Sequence, residues 1–104
     1  MTHETLRTHL HNEPLISAIK AKLVIDEKRK SLCAALNIMN DAGISKPACM
    51  EVQAKIDEYR KISKYYGNML DDVFDLTWQA EAIILKHLDK TDTEIEMLPS
   101  KLTF

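Results

Sequence analysis

The sequence has little of what interrupts regular structure, with only two glycines and three prolines in 104 residues. Such a composition favours long helices over many short strands joined by turns. The chain also lacks a long apolar run, so no segment approaches the length that a membrane span needs. Its net charge of −2 gives the chain as a whole no bias toward nucleic acid or an anionic membrane.

Cysteine is scarce as well, since the chain contains only Cys33 and Cys49. Both lie in predicted helical segments, one on either side of a turn. A disulfide between them is one alternative, and two buried thiols in a cytosolic protein is the one we favour. Residues 1–7 lack the basic-then-apolar pattern of a secretory signal. We therefore predict a cytoplasmic protein with a single helical domain over residues 1–104.

Motifs that carry catalysis or bind cofactors are missing too. The sequence has no glycine-rich phosphate loop, no closely spaced cysteine pair and no His-Glu-x-x-His pattern. Three histidines, His3, His9 and His11, cluster near the N-terminus, but positions 9 and 11 point to different faces of a helix. We expect exposed histidines there, and a protein with no enzymatic activity, no cofactor and no metal site.

The stretch Asp41–Pro47 is the clearest stop-and-restart signal in the chain. Gly43 suits the left-handed position just past a helix end, where a side chain would clash. Ser45 is suited to cap the next helix, and Pro47 to its first turn, where a missing N–H costs nothing. A connection this short makes the flanking helices neighbours, either as an antiparallel hairpin or at the steeper angle of a helix-turn-helix motif.

Hydrophobic periodicity predicts an all-α fold, a small antiparallel bundle of three main helices. These helices are expected at about residues 13–42, 46–66 and 69–89. A short helix over residues 3–11, capped by Thr2, is predicted before them, and Asn12 is predicted to cap the first long helix. Residues 91–104 are predicted to be a partly ordered tail, in which Thr91 starts a short turn of helix that reaches Met97 and is ended by Pro99. The last residues, 100–104, are expected to be either a frayed end or a short docking peptide.

The boundary between the second and third helices rests on conflicting signals. Gly67 is a natural helix end, and Asn68 followed by Asp71 resembles a capping box. However, the apolar stripe continues in phase across the glycine, which costs only about 1 kcal/mol inside a helix relative to alanine. We favour a break or sharp kink at Gly67. If the helix instead continues, the hairpin arm becomes very long and a homodimer is expected, with Phe74 and Trp78 on the dimer or partner face.

The turn resembles that of helix-turn-helix DNA-binding proteins. The resemblance is carried by residues 42–47 followed by Val52, and it covers about a dozen residues. Met39 stands where that motif has a small residue, and Cys49 where a β-branched residue is usual. The helix that would read DNA also offers few of the Arg, Asn and Gln side chains that contact base edges. The resemblance implies a DNA-binding regulator that acts through residues 42–52.

Charge is distributed unevenly along the chain. Residues 1–66 carry eleven Lys or Arg and eight Asp or Glu, a net of +3, whereas residues 67–104 carry three and eight, a net of −5. If the first two long helices pair about Gly43, several cations come together beside an aromatic ring. Such a patch suits an acidic protein surface or a phosphate backbone. The predicted basic patch consists of Lys28, Arg29, Lys30, Arg60, Lys61, Lys64 and Tyr65.

Three functional hypotheses follow. We favour a non-enzymatic protein-interaction module, such as an adaptor, an inhibitor or a small regulatory subunit. The second is a nucleic-acid-binding transcriptional regulator that uses the turn or the basic patch. The third is a homodimeric structural protein. No membrane partner is expected under any of them.

Overall fold

The computed structural model describes residues 1–103, which form five α-helices and no strand. The helices are α1 (His3–Leu10), α2 (Glu13–Asp41), α3 (Lys46–Asp72), α4 (Trp78–Lys86) and α5 (Asp92–Glu96). The predicted all-α fold is confirmed, and the two long helices α2 and α3 pack against each other. Within the described part of the chain, no helix combines the length and apolar character that crossing a membrane requires.

The chain divides into two compact units. Unit 1 contains residues 1–20 and the described residues from Asn68 onward, and unit 2 contains residues 21–67. Helices α2 and α3 each contribute one end to unit 1 and the remainder to unit 2. The single domain predicted from the length stays a prediction.

The predicted helix starts near the N-terminus are confirmed. Thr2 caps α1, its hydroxyl oxygen accepting a hydrogen bond from the Thr5 N–H at 3.2 Å. Asn12 caps α2, its side-chain oxygen accepting from the Leu15 N–H at 3.4 Å. Each cap satisfies a backbone donor that has no partner within the helix. Helix α2 then continues without interruption through the charged stretch at 26–30, as predicted.

The turn after α2 also forms as predicted. Gly43 has a φ of +71°, the left-handed conformation that glycine adopts without steric cost. Around it, the Ile44 N–H donates to the Met39 carbonyl at 3.0 Å, and the Gly43 N–H to the Asn40 carbonyl at 3.2 Å. This paired pattern ends a helix by satisfying its last carbonyl groups. Helix α3 begins at Lys46, which places Pro47 in its first turn.

The predicted break at Gly67 is wrong, because α3 runs through this glycine to Asp72. The chain leaves the helix at 73–77 instead, where Asp75 takes a positive φ of +50°. Thr77 then caps α4, its hydroxyl oxygen accepting from the Ala80 N–H at 3.2 Å. The predicted third helix at 69–89 is therefore replaced by the end of α3 and by α4. The physical reason is that one glycine costs a helix little, whereas a capping threonine stabilises a new start.

Unit 1 has an apolar core that the C-terminal segment helps to build. The short helix predicted from Thr91 forms as α5, with Met97 as its C-cap. The segment after it differs from the predicted frayed end, since Leu102 is buried and hydrogen-bonds to the N-terminus; Phe104 lies outside the described residues. The Leu102 N–H donates to the Met1 carbonyl at 3.1 Å, and His3 Nε2 donates to the Pro99 carbonyl at 2.8 Å. The buried apolar residues of this unit are Leu6, Leu15, Ala18, Ile19, Leu70, Leu76, Ile83, Ile84, Ile95 and Leu102.

Unit 2 is a hairpin formed by the remaining parts of α2 and α3. Near its open end, Ser63 Oγ donates to Asp26 Oδ1 at 2.6 Å, so an early position of α2 faces a late position of α3. The helices therefore run antiparallel, as predicted for the bundle. All residues from 21 to 67 are described, and of these only Ile56 is buried. Two helices alone cannot enclose their apolar side chains, so much of this surface stays in contact with solvent.

Candidate functional site

An open groove with a volume of about 600 Å³ lies along one side of the hairpin in unit 2. Helix α2 provides one wall with residues spaced three and four positions apart, which places them on the same side of the helix. Helix α3 provides the other wall with two residues four positions apart. The residues that line this surface, which we call the hairpin groove, are Val24, Glu27, Lys28, Ser31, Leu32, Lys55 and Tyr59.

The lining of the hairpin groove combines apolar side chains with charged ones. Val24 is 49% exposed, although it is an aliphatic residue in the middle of a long helix. Leu32 and Tyr59 are half-buried, so each presents part of its apolar surface to the groove. An open hollow lined in this way can bury apolar side chains of a bound molecule, while charged groups at its edges orient that molecule.

The two lysines of the groove differ in how they are held. Lys55 Nζ lies 5.4 Å from the centroid of the Tyr59 ring and 3.2 Å from Glu58 Oε2. The ring face and the carboxylate both attract its charge. Lys28, on the opposite wall, forms no ion pair with any residue that the structure describes. Its ammonium group is therefore the more available of the two for a bound anion.

The predicted basic patch is spread over more than one side of the hairpin. Lys28 lines the groove, but Lys30 lies two positions further along α2, which places it about 200° around the helix axis. On α3, Arg60 and Lys64 share a face, since four positions separate them, and neither lines the groove. Arg60 also pairs with Asp57, with 3.8 Å between Nη1 and Oδ1. Arg29 and Lys61 likewise lie outside the groove lining.

Sequence reasoning missed Lys55 as a member of the site. Lys55 and Tyr59 are four residues apart, a spacing that brings a cation over an aromatic ring on a helix. That spacing was visible in the sequence. What the sequence did not contain was the register of α3 against α2, which brings Lys55 rather than Arg60 to the same groove as Lys28.

The predicted aromatic positions fall in different settings. Tyr65 in unit 2 is 61% exposed and packs edge-on against Tyr66, with 5.5 Å between the ring centroids. In unit 1, Trp78 is 64% exposed at the start of α4, and Phe74 is half-buried in the segment before it. The predicted stripe through Phe74 and Trp78 required one helix over 69–89. Because the chain leaves the helix between Asp72 and Trp78, these two residues do not share a helical face.

The turn at 42–52 joins two antiparallel helices. Contacts between α2 and α3 extend far from it, as the groove walls and the bond between Ser63 and Asp26 show. In a helix-turn-helix motif the second helix instead crosses the first steeply and projects into the DNA groove. The sequence resemblance therefore corresponds here to a capped hairpin turn.

Cysteine, histidine and acidic residues do not form a group that could hold a metal ion within the described residues. Cys33 and Cys49 are both free thiols and half-buried. In unit 1, His11 Nε2 donates to Asp92 Oδ1 at 3.1 Å, and Arg7 pairs with Glu96. These polar contacts attach α5 to α1.

His87 is the one buried polar side chain of unit 1 among the described residues. Its Nδ1 atom has no hydrogen-bond partner within the described part of the chain. Burial lowers the pKa of His87, and the nearby charges of Lys90 and Lys86 lower it further. Both effects favour the neutral form of the ring, a feature that bears on stability rather than on the groove.

Net charge follows the division into units. Unit 2, residues 21–67, carries nine Lys or Arg and six Asp or Glu, a net of +3. The rest of the chain carries five and ten, a net of −5, and the two sum to the −2 of the whole chain. The hairpin groove thus lies in the positively charged unit.

Comparison with known proteins assigns no relative to this chain. Neither protein-family models, nor curated proteins, nor solved structures give a match.

Proposed function

We propose that this chain is a non-enzymatic protein-interaction module that binds its partner through the hairpin groove. The observation that carries the proposal is the groove itself, an apolar hollow of about 600 Å³ on a hairpin in which only Ile56 is buried. Removing apolar surface from water is the main favourable term in protein association. A partner that covers the groove gives this thin layer of two helices the second layer that helices normally have.

Individual groove residues expose apolar surface that a bound partner can bury. Val24 exposes about half of its surface, and burying the remainder stabilises a complex by about 1 kcal/mol, on the basis of transfer energies for apolar side chains. Leu32 and Tyr59 add further apolar area. Aromatic residues in well-packed pockets are frequent centres of binding energy, which makes Tyr59 the residue expected to matter most.

A protein partner is favoured over nucleic acid by the character of the groove. Phosphate backbones are bound by clustered cations, whereas this lining is mainly apolar and combines two lysines with Glu27. The antiparallel hairpin also presents no projecting recognition helix. Whether the role is that of an adaptor, an inhibitor or a regulatory subunit depends on the partner. The two free thiols suit a reducing compartment, and we propose that the module acts in the cytoplasm.

The proposal is tested by affinity capture from a lysate of the source cells after nuclease treatment. Three tagged baits are compared: the wild-type chain, Val24→Asp in the groove, and Ile38→Asp as a matched control. Ile38 is a 69% exposed aliphatic residue of the same helix outside the groove lining. Circular dichroism of each bait checks that the helices are retained.

We expect a stoichiometric protein that the wild-type chain and Ile38→Asp capture and that Val24→Asp loses. Binding should depend weakly on salt, because apolar burial releases no counterions. If instead nucleic acid is recovered, and its binding falls steeply between 50 and 200 mM salt as counterion release requires, the nucleic-acid hypothesis replaces this one. Capture that is equal for all three baits would show that the groove is not the binding surface.

A further inference from the structure

We infer that the hairpin groove binds an amphipathic helix with acidic residues along both edges of its apolar face. This inference rests on the proposed function, since it names the partner of the same groove. It goes beyond that function in specifying the secondary structure and the charge pattern of the partner. The shape of the groove supports a helical partner, and the placement of its lysines supports acidic residues on that helix.

The dimensions of the groove suit a helix. On α2 the lining extends from Val24 to Leu32, which is about 12 Å at 1.5 Å per residue. That length accommodates roughly two turns of a docked helix. The walls belong to two adjacent antiparallel helices, so a third helix can lie between them as in a bundle. Such a helix contacts the groove with apolar side chains at positions i, i+4 and i+7.

The charges of the walls favour acidic edges on that helix. Lys28 lies on the α2 wall and Lys55 on the α3 wall, so each edge of a docked helix meets one ammonium group. Lys28 forms no ion pair with a described residue, and a partner carboxylate would supply one. With Glu27 included, the lining carries a net charge of +1, and the whole of unit 2 carries +3. Complementary charge of this kind fixes orientation and raises the association rate.

A second copy of the chain fits the groove less well on the same grounds. In a two-fold symmetric pair the same surface meets itself. The net positive lining would then face an identical net positive lining. An acidic helix experiences no such repulsion, so we commit to it as the occupant.

The test is a selection from a phage-displayed library of helical peptides against the full-length chain. Leucine is fixed at positions i, i+4 and i+7, and the flanking positions are varied among Glu, Lys, Gln and Ser. We expect Glu to be enriched at both edges of the apolar face. The affinity of an enriched peptide, labelled with fluorescein, is then measured by anisotropy with the wild-type chain and with three variants.

The variants distinguish the effect of a charge in the groove from the effect of the net charge of the chain. Lys28→Glu reverses a groove charge, and Lys30→Glu makes the same change on another side of the same helix. Lys28→Glu should weaken binding by about three- to tenfold and Lys30→Glu by less than about twofold, since local ion pairs at solvent-exposed edges have modest energies. Val24→Asp should abolish measurable binding.

Each alternative outcome overturns the inference in a distinguishable way. An acidic helix is rejected if the selection enriches Lys or neutral residues at the flanking positions, or if Lys28→Glu and Lys30→Glu weaken binding equally. The proposed function still stands in that case if Val24→Asp abolishes capture from lysate. Failure to enrich any peptide while lysate capture succeeds rejects a helical occupant alone. A wild-type dimer in sedimentation velocity that Val24→Asp converts to monomer assigns the groove to a second copy of the chain. If neither peptides nor lysate proteins depend on Val24, the inference and the proposed function both fail.

Discussion

The two glycines of the chain occupy opposite conformations. Gly43 has a φ of +71°, and apart from the glycine and its two chain neighbours no described heavy atom lies within 4 Å of the position that a β-carbon would take. A side chain there is penalised only by the backbone, by about 1–2 kcal/mol for a left-handed conformation. We therefore expect Gly43→Ala to lower the free energy of unfolding by about 1 kcal/mol. Urea denaturation followed by circular dichroism measures this change.

Gly67→Ala is the matched control for that substitution. Gly67 lies inside α3, and a β-carbon there would be 3.9 Å from Lys22 Cε, an ordinary contact with a flexible side chain. Alanine favours the helix over glycine, so this variant should be neutral or more stable by up to about 1 kcal/mol. A loss of stability larger than that of Gly43→Ala would contradict the continuous path of α3 through this residue.

His87 makes unit 1 sensitive to acid. Burial first, and then the charges of Lys90 and Lys86, lower the pKa of this imidazole in the folded chain. The folded state therefore binds fewer protons than the unfolded state, in which the pKa is about 6.5. Stability is fully present above that value and is lost as the pH falls toward the lowered pKa. We expect the midpoint of urea unfolding to decrease as the pH is lowered from 7.5 to 5.5.

The comparison variant for His87 is His87→Gln, which has no titrating group. It should show a smaller fall in the urea midpoint over the same pH range. Desolvation also lowers the pKa of His9, so this residue contributes to the fall with the same sign and leaves some pH dependence in the variant. Identical pH profiles for the wild-type chain and His87→Gln would show that His87 is not the source of the effect.

Helix α5 shows how a short polar element becomes ordered by tertiary contacts. Thr91 caps it, and Ile95 has no exposed surface. Replacing a fully buried isoleucine by alanine typically costs 2–5 kcal/mol, since apolar contacts are lost and a cavity remains. We expect Ile95→Ala to lower the free energy of unfolding by about 2–4 kcal/mol, measured by chemical denaturation.

Met97→Ala provides the control from the same segment. Met97 directly follows α5 and is 83% exposed. Its truncation should change stability by less than about 0.5 kcal/mol, as is usual for exposed side chains. If Ile95→Ala were equally mild, the burial of Ile95 would not be what stabilises α5.

The end of α3 is where the sequence signals gave the wrong position. Gly67, Asn68 and Asp71 match the local pattern of a helix end and a new start, yet the helix continues to Asp72. The unbroken apolar phase outweighed them, with Leu70 buried in the core of unit 1. By contrast, Thr77 marks the start of α4 in the sequence, because threonine is a common capping residue.

At the scale of the whole molecule, we expect a monomer, because the proposed occupant of the hairpin groove is a different protein and not a second copy of the chain. The melting temperature should not depend on protein concentration, because only association adds a mass-action contribution to stability. Differential scanning calorimetry from about 10 to 200 μM, with the range chosen to cover weak dimers, checks this. A melting temperature that rises with concentration, and no longer does so in Val24→Asp, would favour the homodimeric hypothesis.

The sequence by itself determined the local structure of this protein. Scarce glycine and proline, the caps at Thr2 and Asn12, and the turn at Gly43 gave an all-α chain with the first two helix starts and the hairpin turn correctly placed. These features depend on residues within a few positions of one another, which is why a one-dimensional pattern contains them. The uneven charge was also visible, as was the i, i+4 spacing of Lys55 and Tyr59.

Tertiary structure decided which residues that are distant in the sequence become neighbours. The register of α3 against α2 joins Lys28 to Lys55 in one groove and leaves Arg60 outside its lining. Packing in unit 1 orders the residues around Ile95, although their sequence is short and polar. Both outcomes depend on contacts between residues far apart in the chain. Their energies come from burial, which local periodicity does not specify.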